Sequence, residues 1–248
     1  MTPLPSVRRP HRYRLAPLLT LALTGSLALT GCEALDDLPD PSATTTTAPA
    51  AGGTALKAVD GLAVKGRAPK TGYARDEFGS AWVDTDHNGC GTRDDVLAHQ
   101  LSGVRRDADG CKVLSGVLDP DPYTGGRIAF ERGRSKVDID HLVALSDAWQ
   151  KGAQQWSDGK RRAFANDPLN LVAADSSTNR RKGDGDTATW LPPNKAYRCT
   201  YVAGQVSVKA KYGLWVTGAE RDAMRKVLAG CPAEKLPTGG SPTEATRR

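Results

Sequence analysis

An Asp-x-Asp-His motif, Asp138 to His141, is the sequence feature that most constrains how this chain can fold. Asn170 follows His141 after 29 residues, and Asn179 follows Asn170 after nine. A neutral imidazole can accept a proton from water near neutral pH. Carboxylate and amide oxygens are the ligands that Mg²⁺ and Mn²⁺ prefer. For these side chains to act together, the fold must bring separate segments of the chain to one pocket.

The segments that carry these residues are predicted to form two strands and a helix. Residues 137–145 and 170–174 are expected as strands, and a short helix is expected to begin at Ser176 and carry Asn179. Residues 147–165 are expected to be helical. The long interval between His141 and Asn170 requires that this helix is an insertion between the two strands.

The expected strand gives the motif a geometry. Adjacent side chains of an extended segment point to opposite faces, so Asp140 would face a cation while His141 faces the attacking water. Asn179 would reach back to the same cation from its helix. Asn170 would either fix the loop or orient the imidazole through a hydrogen bond.

Patterns elsewhere predict a small sheet and further helices. A helix is expected at Asp95–Leu101, and strands at Lys112–Leu118 and Ile128–Phe130. Helical spacing predicts another helix through Cys199, Val202, Val206 and Ala210. Thr217 to Glu220 has the pattern of a capping box, which predicts a last helix that stops at Gly230.

Residues 1–32 resemble a bacterial lipoprotein signal. Four arginines (Arg8, Arg9, Arg12 and Arg14) precede a mostly apolar stretch, Leu15 to Leu29, that is short for a membrane span. The stretch ends in Leu-Thr-Gly-Cys, and in such signals the peptide is cut before the cysteine, here Cys32, which is then lipidated. An ordinary secretory signal cut nearby is the alternative.

Four cysteines remain beyond Cys32, namely Cys90, Cys111, Cys199 and Cys231. In an exported chain this number predicts two disulfides, for which three pairings exist. Proximity in sequence favours Cys90–Cys111 and Cys199–Cys231. No Cys-x-x-Cys is present, so a zinc ribbon or a thioredoxin-like site is not supported.

The net charge of +6 overstates how basic the folded part is. The first 32 residues contain four arginines and no acid, so the remainder has 30 Lys and Arg against 28 Asp and Glu. The positive charge is local: residues 151–182 contain seven basic and three acidic side chains. The overall charge alone therefore does not indicate a nucleic-acid partner, but its distribution around the motif does.

Composition also sets the expected domain boundaries. Residues 33–58 are rich in Thr, Pro, Ala and Gly and are predicted to be a flexible tether. Residues 236–248 are similarly polar and are expected as a disordered tail. A single α+β domain is predicted for residues 59–235.

The segment from about Val137 to Lys182 resembles the ββα-metal fold of the HNH endonuclease family. It is similar to the HNH domains of RNA-guided nucleases and of GmrSD-like restriction enzymes, and the longer stretch from Tyr73 through Leu228 resembles exported bacterial HNH proteins. The resemblance implies an α+β fold with a ββα-metal core, additional helices, a small antiparallel sheet and two disulfides. The interval from His141 to Asn170 is longer than in many HNH sites.

The resemblance also implies residue roles. His141 would be the general base, Asn170 the structural Asn of the catalytic site, and Asp140 and Asn179 the ligands of one Mg²⁺ or Mn²⁺ ion, with Asp138 as a further candidate ligand. Three basic residues directly after Asn179, namely Arg180, Arg181 and Lys182, are expected to contact phosphate.

A second acidic segment, residues 84–95, is a candidate calcium site. Asp84, Asp86, Asn88 and Gly89 have the spacing of the start of an EF-hand calcium loop, and Asp95 falls at its twelfth position. The usual Glu is missing, and no helix is evident before Asp84. An Asx-rich turn is the alternative.

These observations predict a monomeric, metal-dependent HNH endonuclease that cleaves DNA, or RNA as well, with low sequence specificity and without a protein partner. It would act outside the cytoplasm, anchored to the cell membrane through Cys32 or secreted. The alternative is a catalytically inactive surface lipoprotein that binds calcium or a partner on an HNH-like scaffold.

Overall fold

The computed structural model describes residues 53–244. This part contains the α-helices α1 Ala55–Val59, α2 Thr92–Gln100, α3 Leu145–Trp149, α4 Asp158–Ala165, α5 Ser176–Lys182, α6 Arg198–Tyr212 and α7 Gly218–Ala229. Its strands are β1 Ser102–Arg106, β2 Val113–Leu118, β3 Ile128–Glu131, β4 Val137–His141 and β5 Leu171–Asp175. The predicted α+β class is confirmed. The predicted signal, its lipidation site at Cys32 and most of the expected tether lie outside the described residues.

The strands form two small antiparallel sheets. One has the order β1-β2-β3, and the other is the pair β4-β5. In the pair, Asp138 lies opposite Ala174 and His141 lies opposite Leu171. Helix α5 begins at the residue after β5. The segment between the two strands is therefore an excursion that returns Asn170 to the end of β4, as the sequence requires.

That excursion differs from the single helix predicted for residues 147–165. Strand β4 ends at His141 rather than at residue 145, and the helical part is divided into α3 and α4. The division falls at Gly152, which has a φ of 131° and packs against the ring of Trp215. A side chain at this position would be strained, so the glycine breaks the helix and turns the chain.

Three apolar clusters hold the elements together. α1, α6 and α7 bury Val59, Val202, Val206, Met224 and Leu228 completely. A second cluster surrounds Phe164 and Tyr212, and a third lies between α2 and the two sheets. Each fully buried aliphatic side chain contributes about 1.5–3 kcal/mol.

No helix in the described part of the chain is long and apolar enough to cross a bilayer.

Two disulfides staple the periphery. Cys90 is bonded to Cys111, and Cys199 is bonded to Cys231, the pairs that sequence proximity favours. The first joins the residues before α2 to the turn between β1 and β2. The second joins the start of α6 to the end of α7. Loops of this size imply a stabilisation of roughly 3 kcal/mol for each bridge.

The structure places both ends of the domain differently from the expected boundaries. Ala55, near the end of the expected tether, is fully buried in α1, and Thr54 pairs with Lys235 in an isolated bridge. In the expected tail, the Ser207 hydroxyl donates to the Pro237 carbonyl and Lys211 donates to the Ser241 carbonyl. Composition does not indicate this, because polar side chains of α6 bind backbone carbonyls of the tail and a single leucine, Leu236, packs against the apolar cluster of α1, α6 and α7.

A buried ionic network connects α3, α6 and α7. Lys151 Nζ lies 2.7 Å from Asp147, 2.8 Å from Asp186 and 2.6 Å from Glu220. Lys209 Nζ lies 3.1 Å from Asp147 and 3.0 Å from Glu220. Burial alone would raise the pKa of Asp147, but Lys209 and Lys151, with a smaller effect of Arg67, lower it to about 2.

Candidate active site

One polar cleft of about 420 Å³ collects four of the five predicted catalytic and metal-binding residues. Asp138, Asp140, His141 and Asn179 all line it. The first three come from β4 and the fourth from α5. The antiparallel pair and the helix that follows it therefore bring together residues about 40 positions apart in sequence.

His141 is 94% buried at the end of β4, with 6% of its surface exposed. Its Nε2 lies 2.8 Å from the Ala165 carbonyl oxygen. Since a carbonyl only accepts hydrogen bonds, Nε2 must hold the proton of the neutral ring, and Nδ1 carries the free lone pair. Burial lowers the pKa of His141 to about 4. The imidazole is therefore neutral and able to accept a proton at neutral pH.

Asp140 is held from inside the protein. The Tyr123 hydroxyl donates to its Oδ2 at 2.5 Å, and Lys182 Nζ lies 3.0 Å from the same oxygen and 3.1 Å from Oδ1. Lys182 also donates to the His141 carbonyl at 2.8 Å. Burial and the neighbouring Asp140 raise the pKa of Tyr123 well above its usual range. Tyr123 therefore stays a neutral donor to the carboxylate.

Lys182 lies inside the domain instead of on the surface where phosphate contact was expected. Only 3% of the residue is exposed, and its charge is matched by Asp140. Arg180 and Arg181 are exposed on the outer side of α5, as the prediction requires. Arg181 donates to the hydroxyls of Ser177 and Thr178. The three consecutive basic residues thus divide into one internal cation and two surface cations.

Asp138 and Asn179 form the open part of the cleft. Asn179 Nδ2 lies 3.5 Å from Asp138 Oδ2, and both residues are half-buried. Asp138 and Asp140 are two positions apart on β4, so their carboxylates lie on the same face of the strand. Helix α5 is fixed at its start by Asp175, whose side chain accepts from the Thr178 amide at 2.7 Å.

Asn170 is fully buried and supports the loop after β4. The Val143 amide donates to Asn170 Oδ1 at 2.9 Å, and Asn170 Nδ2 donates to the Val143 carbonyl at 3.3 Å. The Asn170 carbonyl accepts from the Leu142 amide. Of the two roles considered for Asn170, these contacts are those of loop fixation, because the imidazole is bonded to Ala165.

The segment before α2 and the first turn of α2 supply further residues of the cleft. Trp82 stacks on the His141 ring, with centroids 6.4 Å apart and planes 16° from parallel. Tyr73, Arg75 and Arg93 also line the cleft. Trp82 has a φ of 60°, a conformation that is uncommon for an aromatic residue and that often marks a functional site. The Asp-rich pattern beside Trp82 resembles a calcium loop, but the residues that flank the pattern, Trp82 and Arg93, line the cleft.

The Asp-rich segment itself forms a closed turn. Asn88 Nδ2 donates to Asp86 and Asp95, and the Gly89 amide donates to Asp84 at 3.0 Å. These bonds are the ones that an Asx-rich turn makes. Among residues 53–244, no group of three or more His, Cys, Asp or Glu side chains converges to hold a metal ion.

A family model for the C-terminal domain of GmrSD restriction endonucleases matches residues 91–227. The chain belongs to this GmrSD C-terminal domain family. The match confirms the predicted relation to GmrSD-like HNH proteins, and it spans β4, β5 and α5. It begins after Trp82, so the GmrSD domain as matched includes Arg93 but not the aromatic residue that stacks on His141.

One relative of the GmrSD-family chain is described as an uncharacterized secreted protein of Arthroderma benhamiae. It is 39% identical over 195 residues, which cover 78% of this chain and 92% of the relative. No solved structure matches the chain.

Proposed function

We propose that this protein is a metal-dependent HNH endonuclease that hydrolyses phosphodiester bonds in DNA outside the cytoplasm, with RNA as a further candidate substrate. The observation that carries the proposal is the buried, neutral His141 with its Nδ1 free, at a cleft lined by Asp138, Asp140 and Asn179. Membership of a family named for restriction endonucleases supports it.

The oxygens of the cleft fit a divalent cation in kind. Asp138, Asp140 and Asn179 offer two carboxylates and one amide, which are ligands for Mg²⁺ or Mn²⁺ rather than for zinc or copper. We propose that these three residues hold one such ion. The Asn179 amide is needed as a ligand because no three acidic, histidine or cysteine side chains converge in residues 53–244. When bound, a cation of this kind neutralises phosphate charge and stabilises a leaving oxygen.

In the proposed reaction His141 Nδ1 takes a proton from water. The water oxygen forms a bond to phosphorus and the bond to the 3′ oxygen breaks, which leaves a 5′-phosphate and a 3′ oxygen that takes a proton from solvent. The Ala165 carbonyl holds the ring in place and fixes its tautomer throughout. Asn170 acts at a distance, because it anchors the loop that follows the histidine.

Substrate binding is proposed to rest on phosphate contacts. Arg180 and Arg181 are exposed on α5, next to Asn179. Contacts of this kind position nucleic acid but carry no base information, so low sequence specificity is expected. The protein is proposed to act as a monomer and without a protein partner.

An extracytoplasmic location is proposed from two observations. The chain contains two disulfides, which persist in oxidising compartments. Its relative from Arthroderma benhamiae is described as secreted. Anchoring through a lipid on Cys32 remains part of the proposal, and the mass of the mature protein from its native membrane would test it.

A plasmid-nicking assay with the purified mature protein tests the function. Cleavage is expected with Mg²⁺ or Mn²⁺, and it should vanish in EDTA and in His141→Ala. His99→Ala is a matched control, because His99 is an exposed histidine on α2. Cleavage that survives His141→Ala would overturn the assigned base.

The alternative, an inactive scaffold that binds calcium or a partner, has one observation in its favour. Lys182 already neutralises Asp140, the first of the predicted cation ligands. The same preparation distinguishes the two functions: absence of cleavage together with a calcium-dependent rise in melting temperature would support the scaffold.

A further inference from the structure

Arg93 lies on the wall of the cleft that faces β4. It is in the first turn of α2, is half-buried, and lines the same cleft as Asp138 and His141. Its guanidinium carbon lies 5.7 Å from the centre of the Trp82 ring, and Trp82 stacks on His141. Arg93, Trp82 and His141 thus form a continuous layer along one side of the cleft.

Several contacts fix the backbone that carries Arg93. Cys90 is bonded to Cys111, and the Thr92 hydroxyl donates to the Val83 carbonyl. Gly91 allows the start of α2 to approach Trp82, since a Cβ at this glycine would lie 2.7 Å from the Trp82 carbonyl oxygen. A group held in this way is preorganised, so little conformational entropy is lost when it binds a ligand.

The charge of Arg93 is not matched by a direct partner. In residues 53–244 it has no hydrogen bond and no ion pair within 4 Å, whereas its neighbour Asp94 is paired with Arg132. Burial and the neighbouring Arg132 lower the pKa of Arg93 against the opposing effect of Asp138 and Asp94. An arginine remains charged even when its pKa is lowered, so a half-buried cation faces the cleft without a counter-ion.

We propose that Arg93 is a catalytic residue that binds a non-bridging oxygen of the scissile phosphate and stabilises the negative charge that develops there. This inference rests on the proposed function. A guanidinium presents two parallel N–H groups that match a phosphate. Arg93 lines the same cleft as the proposed cation ligands, so one phosphate can contact both.

Arg75 is the other arginine in the cleft, and it differs in two respects. It is exposed, and it belongs to a short 3-10 turn, Arg75–Phe78, that has no disulfide. An exposed arginine contributes to encounter with nucleic acid more than to the bond-breaking step. We therefore assign the scissile phosphate to Arg93.

Steady-state cleavage of a fluorescent DNA duplex by Arg93→Gln, Arg93→Lys and Arg105→Gln tests the inference. Arg105 is an exposed arginine of β1 that does not line the cleft. For Arg93→Gln we expect kcat to fall by roughly 100-fold with KM changed by less than about threefold, because the contact is made mainly in the transition state. Arg93→Lys should retain part of the rate, and Arg105→Gln should behave like the unaltered protein.

A second measurement separates chemistry from folding. Guanidinium ion added at concentrations well below those that unfold the protein should restore part of the activity of Arg93→Ala and none of the activity of His141→Ala. A kcat of Arg93→Gln within about threefold of the unaltered protein would overturn the inference while the nuclease function stands. A loss that guanidinium does not restore and that follows the melting temperature would also overturn it. If neither the unaltered protein nor Arg105→Gln cleaves, the proposed function fails and the inference fails with it.

Discussion

Lys182 and Asp140 form a buried ion pair, with Lys182 Nζ 3.0 Å from Asp140 Oδ2. Asp140 directly precedes His141 on β4. Lys182 also binds the His141 carbonyl, so one side chain from α5 fixes both residues of the motif. The pair holds the last residue of α5 against β4, while Asn179, in the middle of the helix, lines the cleft. It also leaves Asp138 as the carboxylate of the cleft without an ion-pair partner within 4 Å in residues 53–244.

Replacing Lys182 by Met tests the ion pair. Asp140 would become a buried carboxylate with only the Tyr123 hydroxyl as a close donor, and loss of one partner of a buried pair costs about 3–5 kcal/mol. Urea unfolding at neutral pH measures the change. Arg180→Met is the control, because Arg180 is exposed on the same helix and its loss should cost less than about 0.5 kcal/mol. Equal stabilities of the two variants would show that the pair is not formed.

The buried imidazole predicts an unusual pH dependence of cleavage. The pKa of His141 is lowered to about 4 by burial, so the ring loses its basic lone pair only as the pH falls through about 4. With saturating metal ion, protonation of His141 should therefore not lower kcat between about pH 7 and pH 5.5. An ordinary histidine would become protonated across this range. The pH–rate profile measures this. An inflection near pH 6.5 that is also present in His99→Ala would contradict the buried environment of His141.

The ionic network around Asp147 predicts acid sensitivity of the fold. The folded pKa of about 2 lies below the value of about 3.9 expected in the unfolded chain. The stabilisation is therefore present above about pH 4 and is lost as the pH falls through about 2, with a size on the order of 2 kcal/mol. Asp147→Asn should remove it. The difference in unfolding free energy from the unaltered protein should shrink between pH 7 and pH 2.5, whereas the exposed Asp222→Asn should show no such trend.

The two disulfides are expected to differ in their effect on cleavage. Removing either pair by serine substitution should destabilise the fold by roughly 3 kcal/mol. Loss of Cys90–Cys111 should also reduce cleavage at a temperature where the protein stays folded, because that bridge fixes the segment with Trp82 and Arg93. Loss of Cys199–Cys231, which joins α6 to the end of α7, should leave the rate unchanged. Equal rates for the two variants would contradict this division.

Asn170→Ala tests the supporting role of the buried amide. The Val143 amide and carbonyl would both lose their side-chain partner inside the protein, at a cost of about 1–3 kcal/mol for a buried group left unsatisfied. Thermal unfolding should show the loss, and cleavage should fall as the loop after His141 loosens. Loss of activity with unchanged stability would instead indicate a direct catalytic role for Asn170.

Local patterns were sufficient to predict the elements whose signals are contained in a few residues. The capping box at Thr217 and Glu220 forms as the sequence indicates, and α7 follows it. The interval between His141 and Asn170 predicted an excursion between the two strands. The structure contains this excursion, because His141 at the end of β4 pairs with Leu171 at the start of β5. In these places turn, cap and periodicity all favour the same structure.

Other features depend on partners that are distant in sequence. Lysines are rarely fully buried, so nothing local distinguishes Lys182 from Arg180 and Arg181; Asp140, 42 residues earlier, makes the difference. Strand β1 has an exposed Ser-Gly-Val-Arg-Arg sequence and exists because β2 pairs with it. Trp82 and Arg93 enter the cleft through the close approach of Gly91 to the Trp82 carbonyl, which no local pattern in the sequence indicates.

The bridge between Thr54 and Lys235 governs how mechanical load passes through the domain. Tension applied from the N-terminal side enters at this point and is shared at once with the residues that follow α7. The load path runs through α1 and the α6–α7 pair, and Gln205 of α6 donates to the carbonyl of Leu142, the residue after His141, at 2.8 Å. Force on the leading end of the domain can therefore reach the residue beside His141, so the shape of the cleft is coupled to whatever pulls on that end.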